Sequence, residues 1–421
     1  MHMTTLSRTL LLVCVAGGLA GESALAQGFD SGSDGSDGAL TIGADLGEVV
    51  FDPASYTPPL DPDGDGVYHF TTITIGANTT VKLTSSVLGE GRPVVWLASG
   101  DVIVAGTIDA SGEAGPNSGS PLVPAAAGAG GYAGGVGNDV SSHSTYGNGP
   151  GGGAAYTLSL VGGNNIHGGG GSYGSPGGSG SLVGTAPLYG NAYLLPMVGG
   201  SGGGGGYHNN GTSVGGGGGG GGALVIASNT QIAIDGTIRA NGGNGSTSGF
   251  AVGGGGSGGA IRLIAPRLLG SGTLSALGGS GVGANAGGLG RIRLEGFRRE
   301  GPTSVTPAPS VASPGLVFLP PTAPLVRLIS VDGVAVAADP TGSFVVPDAV
   351  VTAAGEVTLA IAAQNIPLGT VLKLTLRPET GAPVTVDTTA LSGTLESSTA
   401  TATVTLSAGF TRLFLQANWT P

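Results

Sequence analysis

Cysteine is almost absent from this sequence, with Cys14 the single example among 421 residues. One cysteine cannot form an internal disulfide, and the rest of the chain offers neither a thiol nucleophile nor a cysteine ligand for a metal. Stability must therefore come from a buried apolar core.

Charged side chains are also scarce. They make up 9% of the chain, Lys82 and Lys373 are the only lysines, and the formal net charge is −11. This composition argues against nucleic acid and anionic membrane surfaces as partners, because both need a basic protein surface. The polarity comes from Ser, Thr, Asn and Gly, as in extracellular bacterial proteins.

Long apolar runs are missing too. The N-terminal run Leu10–Ala20 is too short to span a bilayer. Arg8 precedes it and small residues end at Ala26, which together predict a secretory signal peptide over residues 1–26, cleaved after Ala26. We expect a secreted or cell-surface protein without membrane insertion.

An internal repeat dominates what is present. The stretch Leu224–Gly243 has an earlier copy from Val95, a later copy from Ile261 and a truncated copy from Ile292, and a half-pattern begins near Ile73. Because such units bury their apolar faces only against neighbours, repeats indicate a stacked architecture.

Side chains alternate between two faces along each copy. One face carries Val95, Leu97, Leu224, Ile226, Ile261, Leu263, Ile292 and Leu294. The other carries Trp96, Val225, Arg262 and Arg293. Since an unpaired arginine is costly to bury, the first set is predicted to point inward.

The order of the copies predicts the fold class. Corresponding positions recur in the same order, whereas hairpins of an antiparallel sandwich would mirror them. We therefore predict an all-β chain with a short parallel β-solenoid over residues 49–301.

Three glycine-rich insertions interrupt this region, at 113–222, 242–259 and 278–290. Each follows an alanine and returns just before Leu224, Ile261 or Ile292, so the three should leave one corner side by side. One interpretation is disordered loops. The favoured one is extended left-handed helices with three residues per turn, packed as closely as only glycine permits.

The large insertion also concentrates tyrosine. It contains Tyr132, Tyr146, Tyr156, Tyr173, Tyr189, Tyr193 and Tyr207. Tyr, Ser, Gly and Asn make adaptable recognition loops, so these side chains are candidates for binding glycans or other surface components. The alternative is that they anchor the glycine-rich loops by packing on the sheets.

An acidic turn offers a candidate metal site. Asp61, Asp63 and Asp65 alternate as in the first half of a calcium loop, but Thr72 stands where a bidentate acid is expected. We favour a plain turn over a weak calcium site, and predict no other cofactor.

The flanking regions differ in composition. Residues 27–48 are predicted to be a flexible acidic segment and 302–324 a proline-rich linker. Residues 325–421 are predicted to form an immunoglobulin-like β-sandwich. Its strands are predicted at Leu325–Val331, Val357–Ala363, Thr370–Leu376, Val384–Asp387, Thr399–Leu406 and Thr411–Asn418.

Catalytic signatures are weak. Asp109, Asp235 and Glu295 lie near the repeats, but no strand clusters acids as a glycosidase or lyase requires. Asp109 and Arg239 occupy equivalent positions in successive copies, so a ladder ion pair is the simpler interpretation. Arg262 and Arg293 are predicted to lie on a solvated face.

The repeat at Gly100–Gly112 resembles those of secreted bacterial β-helix proteins of the filamentous-haemagglutinin type. With the start at Gly32–Leu40 and the return at Gly258–Leu263, the chain resembles uncharacterised glycine-rich exported bacterial proteins. The insertion is also similar in composition to the glycine-rich tips of phage adhesins. These resemblances imply a fold and an exported setting, and they transfer no catalytic residue.

The leading hypothesis is a secreted, non-enzymatic surface or matrix protein. Its solenoid would display Gly/Tyr-rich loops that bind glycans or other cell-surface components. A carbohydrate-active enzyme using Asp109, Asp235 or Glu295 is the alternative, and a purely structural envelope protein is a third.

Overall fold

The computed structural model describes residues 28–117, 123–138, 144–155, 165–181, 185–209, 214–247, 249–337, 340, 347–352, 355–378 and 382–419. Across these residues the chain is nearly all-β, with one helical turn, α1 (Ser85–Leu88), and a 3-10 turn at Pro53–Ser55. The predicted signal peptide lies outside the described residues.

The repeat copies form short strands. They are β1 (Gly38–Ile42), β2 (Gly47–Val50), β3 (Val67–Ile75), β4 (Thr79–Lys82), β5 (Val94–Ala98), β6 (Val102–Val104), β7 (Thr107–Asp109), β8 (Asn165–Ile166), β9 (Tyr207–His208), β10 (Ala223–Ser228), β11 (Gln231–Ile234), β12 (Thr237–Arg239), β13 (Ala260–Ile264), β14 (Arg267–Leu269), β15 (Thr273–Ser275), β16 (Arg291–Glu295), β17 (Arg298–Arg299), β18 (Ser304–Thr306) and β19 (Ser310–Ala312).

These strands build curled parallel sheets. Strands β10, β11 and β12 of one copy pair in parallel with β13, β14 and β15 of the next. The larger sheet runs β17-β14-β11-β6-β3-β5-β10-β13-β16-β19, with β1 beside β3, and the smaller runs β18-β15-β12-β7-β4-β2. The predicted parallel stacking of equivalent positions is confirmed.

The faces of β5 are opposite to those predicted from the sequence. Trp96 pairs with Ile226 and is fully buried in the core between the sheets. Val95 and Leu97 instead lie on the outer face, in a second apolar cluster. In the other copies, the predicted inward residues do form the core.

The error is a shift of one residue in alignment. The Ala-Ser dipeptide shared by the C-terminal ends of β5 and β10 aligns Val95 with Leu224, whereas the structure pairs Val94 with Leu224. The corners at Gly106 and Gly236 lie equally far from Val94 and Leu224, and this spacing gives the correct register. A one-residue slip exchanges the two faces of a strand.

Aromatic side chains fill the N-terminal part of this core. Phe51, which is fully buried, lies 5.2 Å from both Tyr68 and Trp96, measured between ring centroids. Phe70 stacks on Tyr68 at 6.1 Å. This cluster fills the first copies with large side chains where the later ones use Ile and Leu.

The parallel sheets extend further at both ends than predicted. The segment predicted to be flexible, 27–48, supplies β1 and the start of β2, because its Leu40 and Ile42 continue the core. The predicted linker, 302–324, supplies β18 and β19. Pro302, Pro307 and Pro309 flank these outermost strands, and proline offers no N–H for a further strand.

The C-terminal unit is antiparallel. Its strands are β20 (Leu325–Val331), β21 (Val334–Ala335), β22 (Gly355–Gln364), β23 (Val371–Pro378), β24 (Val384–Ala390), β25 (Ser392–Gly393), β26 (Ser398–Leu406) and β27 (Thr411–Gln416). Two sheets, β21-β20-β22-β26-β25 and β24-β23-β27, share an apolar core. The six predicted strands are all present, with small shifts at their ends.

Candidate interaction surface

The three insertions leave and return at stacked corners. At each corner the returning glycine donates its backbone N–H to the departing alanine: Gly222 to Ala110, Gly259 to Ala240 and Gly290 to Ala276. The alanines themselves stack, since the Ala110 N–H is donated to the Arg239 carbonyl. The expectation of a common corner with the insertions side by side is therefore confirmed.

Beyond these corners the glycine-rich segments pack into one body, here called the glycine bundle. It comprises the described residues within 110–138, 144–155, 165–181, 199–209, 214–222, 240–260 and 276–290. Neighbouring segments are joined mainly by backbone hydrogen bonds. The favoured interpretation of the insertions, ordered packing, matches this arrangement.

The run Gly215–Gly222 lies at the centre of the glycine bundle. Every third N–H is donated to the same neighbouring segment: Gly216 to Pro116, Gly219 to Glu113 and Gly222 to Ala110, at 2.9, 2.9 and 2.7 Å. The intervening residues repeat the pattern toward other segments: Gly217 and Gly220 donate to Gly135 and Tyr132, and Gly218 and Gly221 to Gly254 and Ser257. A three-residue repeat is the signature of a polyproline II type helix.

Close approach explains why these positions are glycine. A Cβ on Gly217, Gly218 or Gly220 would lie under 3.0 Å from the carbonyl oxygen of Gly203, Gly243 or Gly200, respectively. None of Gly215–Gly222 has a left-handed φ. The requirement is therefore space between backbones and not an unusual backbone conformation.

Side chains complete the hydrogen bonding at the outer edge of the glycine bundle. Asn241 accepts the N–H of Leu277 through its Oδ1, and Asn244 accepts that of Ser280 in the same way, each at 2.8 Å. The two asparagines are three residues apart, so they project from the same side of a threefold helix. They satisfy the backbone N–H groups of Leu277 and Ser280 at this edge.

The end of the glycine bundle away from the sheets is its distal end, defined here by residues 138, 165–167, 207–209, 247 and 249–251. Asn138 donates its backbone N–H to Gly206, and Gly215 donates to Ala251, which places these residues opposite the corner at Gly222. Asn165, Asn209, Thr247 and Phe250 are exposed there. The distal end presents amide, hydroxyl and aromatic groups.

The tyrosines are spread over the glycine bundle and not gathered on one surface. Tyr193 is 66% exposed, Tyr173 is buried, and Tyr132, Tyr146, Tyr189 and Tyr207 are partly buried. Tyr207 alone of these belongs to the distal end, and Tyr156 lies outside the described residues. A binding role for the seven stays a prediction.

Two tyrosines cover the outer face of the large sheet. The rings of Tyr173 and Tyr189 lie 4.6 Å apart and pack with Val95, Val225 and Ile264. The Tyr189 hydroxyl donates to the Gly199 carbonyl at 2.6 Å. Burial raises the pKa of both phenols, so they remain protonated. Their visible role is anchoring the insertion to the sheet.

An ion-pair cluster lies on the same covered outer face of the large sheet. Arg262 is 1% exposed, and its guanidinium lies 2.9 Å from the Glu295 carboxylate, which also accepts from Arg293 at 2.6 Å. Arg262 donates to the Leu316 and Val317 carbonyls as well. The predicted solvated face is wrong for Arg262, because pairing within a covered sheet makes its burial tolerable.

The acids considered for catalysis all have structural partners. Asp109 lies 2.8 Å from Lys82 and 2.9 Å from Arg239, which confirms the predicted ladder pair. Burial would raise its pKa, but hydrogen bonds from Arg239, Lys82 and Ser111 outweigh that effect and hold the pKa at about 2. Asp235 accepts from the Ser271 N–H at 3.0 Å, and Glu295 belongs to the arginine cluster.

The acidic turn gathers three carboxylates. Oxygens of Asp61, Asp63 and Asp65 all lie within 4.8 Å of one another. The Asp61 carboxylate also accepts the N–H groups of Asp65 and Gly66, at 3.0 and 2.9 Å. Oxygen donors suit calcium, yet these hydrogen bonds close the turn by themselves. Calcium binding stays a prediction.

No protein-family model, curated protein or solved structure matches this chain. Among the described residues, no helix is long and apolar enough to cross a membrane.

Sequence reasoning missed the residues that the distal end brings together. Asn138, Asn165, His208 and Phe250 come from four segments far apart in the chain and meet there. Phe250 is flanked by Gly, Ser and Ala, so no apolar periodicity predicts that its ring is buried. This isolation was the one sequence signal that the ring is exposed and could bind a ligand. Their convergence depends on how the glycine segments pack.

Proposed function

We propose that this chain is a secreted, non-enzymatic surface or matrix protein that binds glycans or other cell-surface components through the distal end of its glycine bundle. The observation that carries this proposal is the closed packing around Gly215–Gly222. In the part of the chain that the structure describes, a closely packed scaffold holds a set of polar and aromatic residues far from the sheets.

Rigidity supports a display role. The central run is hydrogen-bonded in three directions by backbone groups alone, so the glycine bundle keeps its shape whatever side chains stand at its end. Binding residues commonly lie on loops that a rigid scaffold positions. The distal end matches that plan, since it lies at the end of the packed segments farthest from the sheets.

The proposal includes a finer description of the fold. We infer that the curled parallel sheets form a β-solenoid and that the C-terminal unit is an immunoglobulin-like sandwich acting as a spacer or attachment module. The repeated parallel register supports the first inference, and two antiparallel sheets around a shared core support the second. The N-terminal sequence features and low cysteine content support export.

Binding to a glycan and cell-surface panel tests the proposal. Residues 27–421 are compared with a distal variant carrying Asn165→Ala, Asn209→Ala and Thr247→Ala. The matched control carries Thr107→Ala, Thr237→Ala and Thr273→Ala on the outer face of the smaller sheet. We expect the distal variant to lose binding and the control to keep it. Loss in the control alone would show that the sheet face is the binding surface.

A further inference from the structure

An aromatic pair with one exposed ring lies at the distal end. The rings of Phe250 and His208 stack with centroids 5.2 Å apart and planes inclined by 25°. His208 is 8% exposed, whereas Phe250 is 58% exposed. One ring is thus buried as a support while the other faces solvent.

The buried ring, that of His208, is fixed in place through the backbone of its residue. The Asn138 side chain accepts the His208 N–H through Oδ1 and donates its amide Nδ2–H to the His208 carbonyl, both at 2.8 Å. On the other side, His208 of β9 pairs with Asn165 of β8. Asn138 and Asn165 therefore hold the backbone of His208 from both sides, as neighbouring strands of a sheet would.

From this geometry we propose that the Phe250–His208 stack is a subsite for a neutral sugar ring, which packs its C–H face on the phenyl ring. The inference rests on the proposed function and names its ligand class. A held aromatic loses little conformational freedom on binding, which favours such a platform. The exposed amides of Asn165 and Asn209 and the Thr247 hydroxyl can hydrogen-bond to the sugar's hydroxyl groups.

The lack of basic side chains in these insertions favours a neutral ligand over an acidic one. The insertions at 113–222 and 242–259 contain neither lysine nor arginine. Carboxylated or sulfated sugars are usually held by such cations. The exposed Tyr193 provides a contrast, because its ring lies over the Arg293 guanidinium at 5.3 Å, away from the distal end.

Affinity electrophoresis of residues 27–421 tests the subsite. The probes are dextran and galactan, which are neutral, and polygalacturonate, which is acidic. The variants are Phe250→Ala, Phe250→Trp and, as a control aromatic, Tyr193→Ala. Circular dichroism and the urea midpoint check that each variant folds.

We expect dextran or galactan to retard the protein and polygalacturonate to leave it unaffected. Phe250→Ala should weaken binding by about tenfold, the loss that follows removal of one aromatic stacking contact. Phe250→Trp should retain binding, and its indole emission should change when the polysaccharide is added. Tyr193→Ala should behave as wild type.

The outcomes separate this inference from the proposed function. If Phe250→Ala binds as well as wild type while the distal variant does not, the stacking subsite is refuted and the distal surface stands. If neither neutral polysaccharide retards the protein, or polygalacturonate alone does, the neutral-sugar assignment is overturned. If both variants bind normally, the distal surface fails as well.

Discussion

Gly218 occupies a position that a methyl group could not share. Its Cβ would meet the Gly243 carbonyl, a backbone atom that cannot rotate away. We therefore expect Gly218→Ala to lower the free energy of unfolding by about 2–3 kcal/mol, as in other overpacked interiors. Urea denaturation of residues 27–421 measures this.

Gly43→Ala is the matched control for that substitution, since its Cβ would meet only the Leu46 side chain at 3.9 Å. The two variants should differ clearly. An equally mild effect at both positions would mean that the glycine bundle is looser than described.

Asp109 should make stability depend on acid pH. Its pKa in the folded protein, about 2, lies below the usual 3.8, so its ion pairs stabilise the fold above about pH 4. This stabilisation is lost as the pH falls from about 4 to about 2. Urea midpoints across that window should fall more steeply for wild type than for Asp109→Asn, and parallel slopes would contradict the assignment.

At the scale of residues, the sequence predicted the burial of side chains that follow the strand alternation. It missed residues whose environment depends on contacts with distant segments. Leu224, Ile226, Ile261 and Leu263 are buried as the alternation requires. Trp96 was assigned to the wrong face because a local dipeptide match outweighed the spacing to the corner. Phe250 and His208 meet because the glycine-rich segments pack together, and no local sequence pattern predicts that contact.

At the scale of elements, the run Gly215–Gly222 gives the sharpest test of ordered packing in the glycine bundle. All eight backbone N–H groups are donated within the glycine bundle. Hydrogen exchange should therefore show protection of these amides comparable to that of β10, which continues the same chain. Rapid exchange throughout the run, with β10 protected, would refute the packed arrangement.

Strands were predictable wherever their own residues show side-chain alternation or belong to the repeat. Alternation located the six predicted strands of the C-terminal unit, and the repeat located the parallel strands. The three-residue period of the insertion was foreseeable from glycine content, but its neighbours were not. A glycine has no side chain to indicate which segment it contacts, so the pairing with Pro116, Tyr132 and Gly254 is specified only by the assembled bundle.

Over the whole molecule, the C-terminal unit lies against the glycine bundle. Arg412 of β27 is 7% exposed and lies 4.0 Å from the Glu90 carboxylate, with its guanidinium 6.0 Å from the centre of the Tyr132 ring. Arg377 of β23 donates to the Gly152 carbonyl at 3.3 Å. These contacts fix the unit to the side of the scaffold.

Arg412→Glu should release the C-terminal unit, because it places a second carboxylate beside buried Glu90. We expect a larger radius of gyration in small-angle scattering and faster proteolysis between β19 and β20. Lys373→Glu, at an exposed ion pair of the same unit, serves as the control. An unchanged radius of gyration in the Arg412→Glu variant would show that other contacts hold the unit.

The central glycine run also sets an order of folding. Its neighbours come from both directions along the chain: Glu113 and Tyr132 precede it, whereas Gly243, Gly254 and Ser257 follow it. A nascent chain cannot enclose the run until about residue 259 has been synthesised. Closure then requires contacts between distant parts of the chain, which fold slowly. The central run can thus be enclosed only after the strands that precede it and follow it, up to β12, are available for pairing.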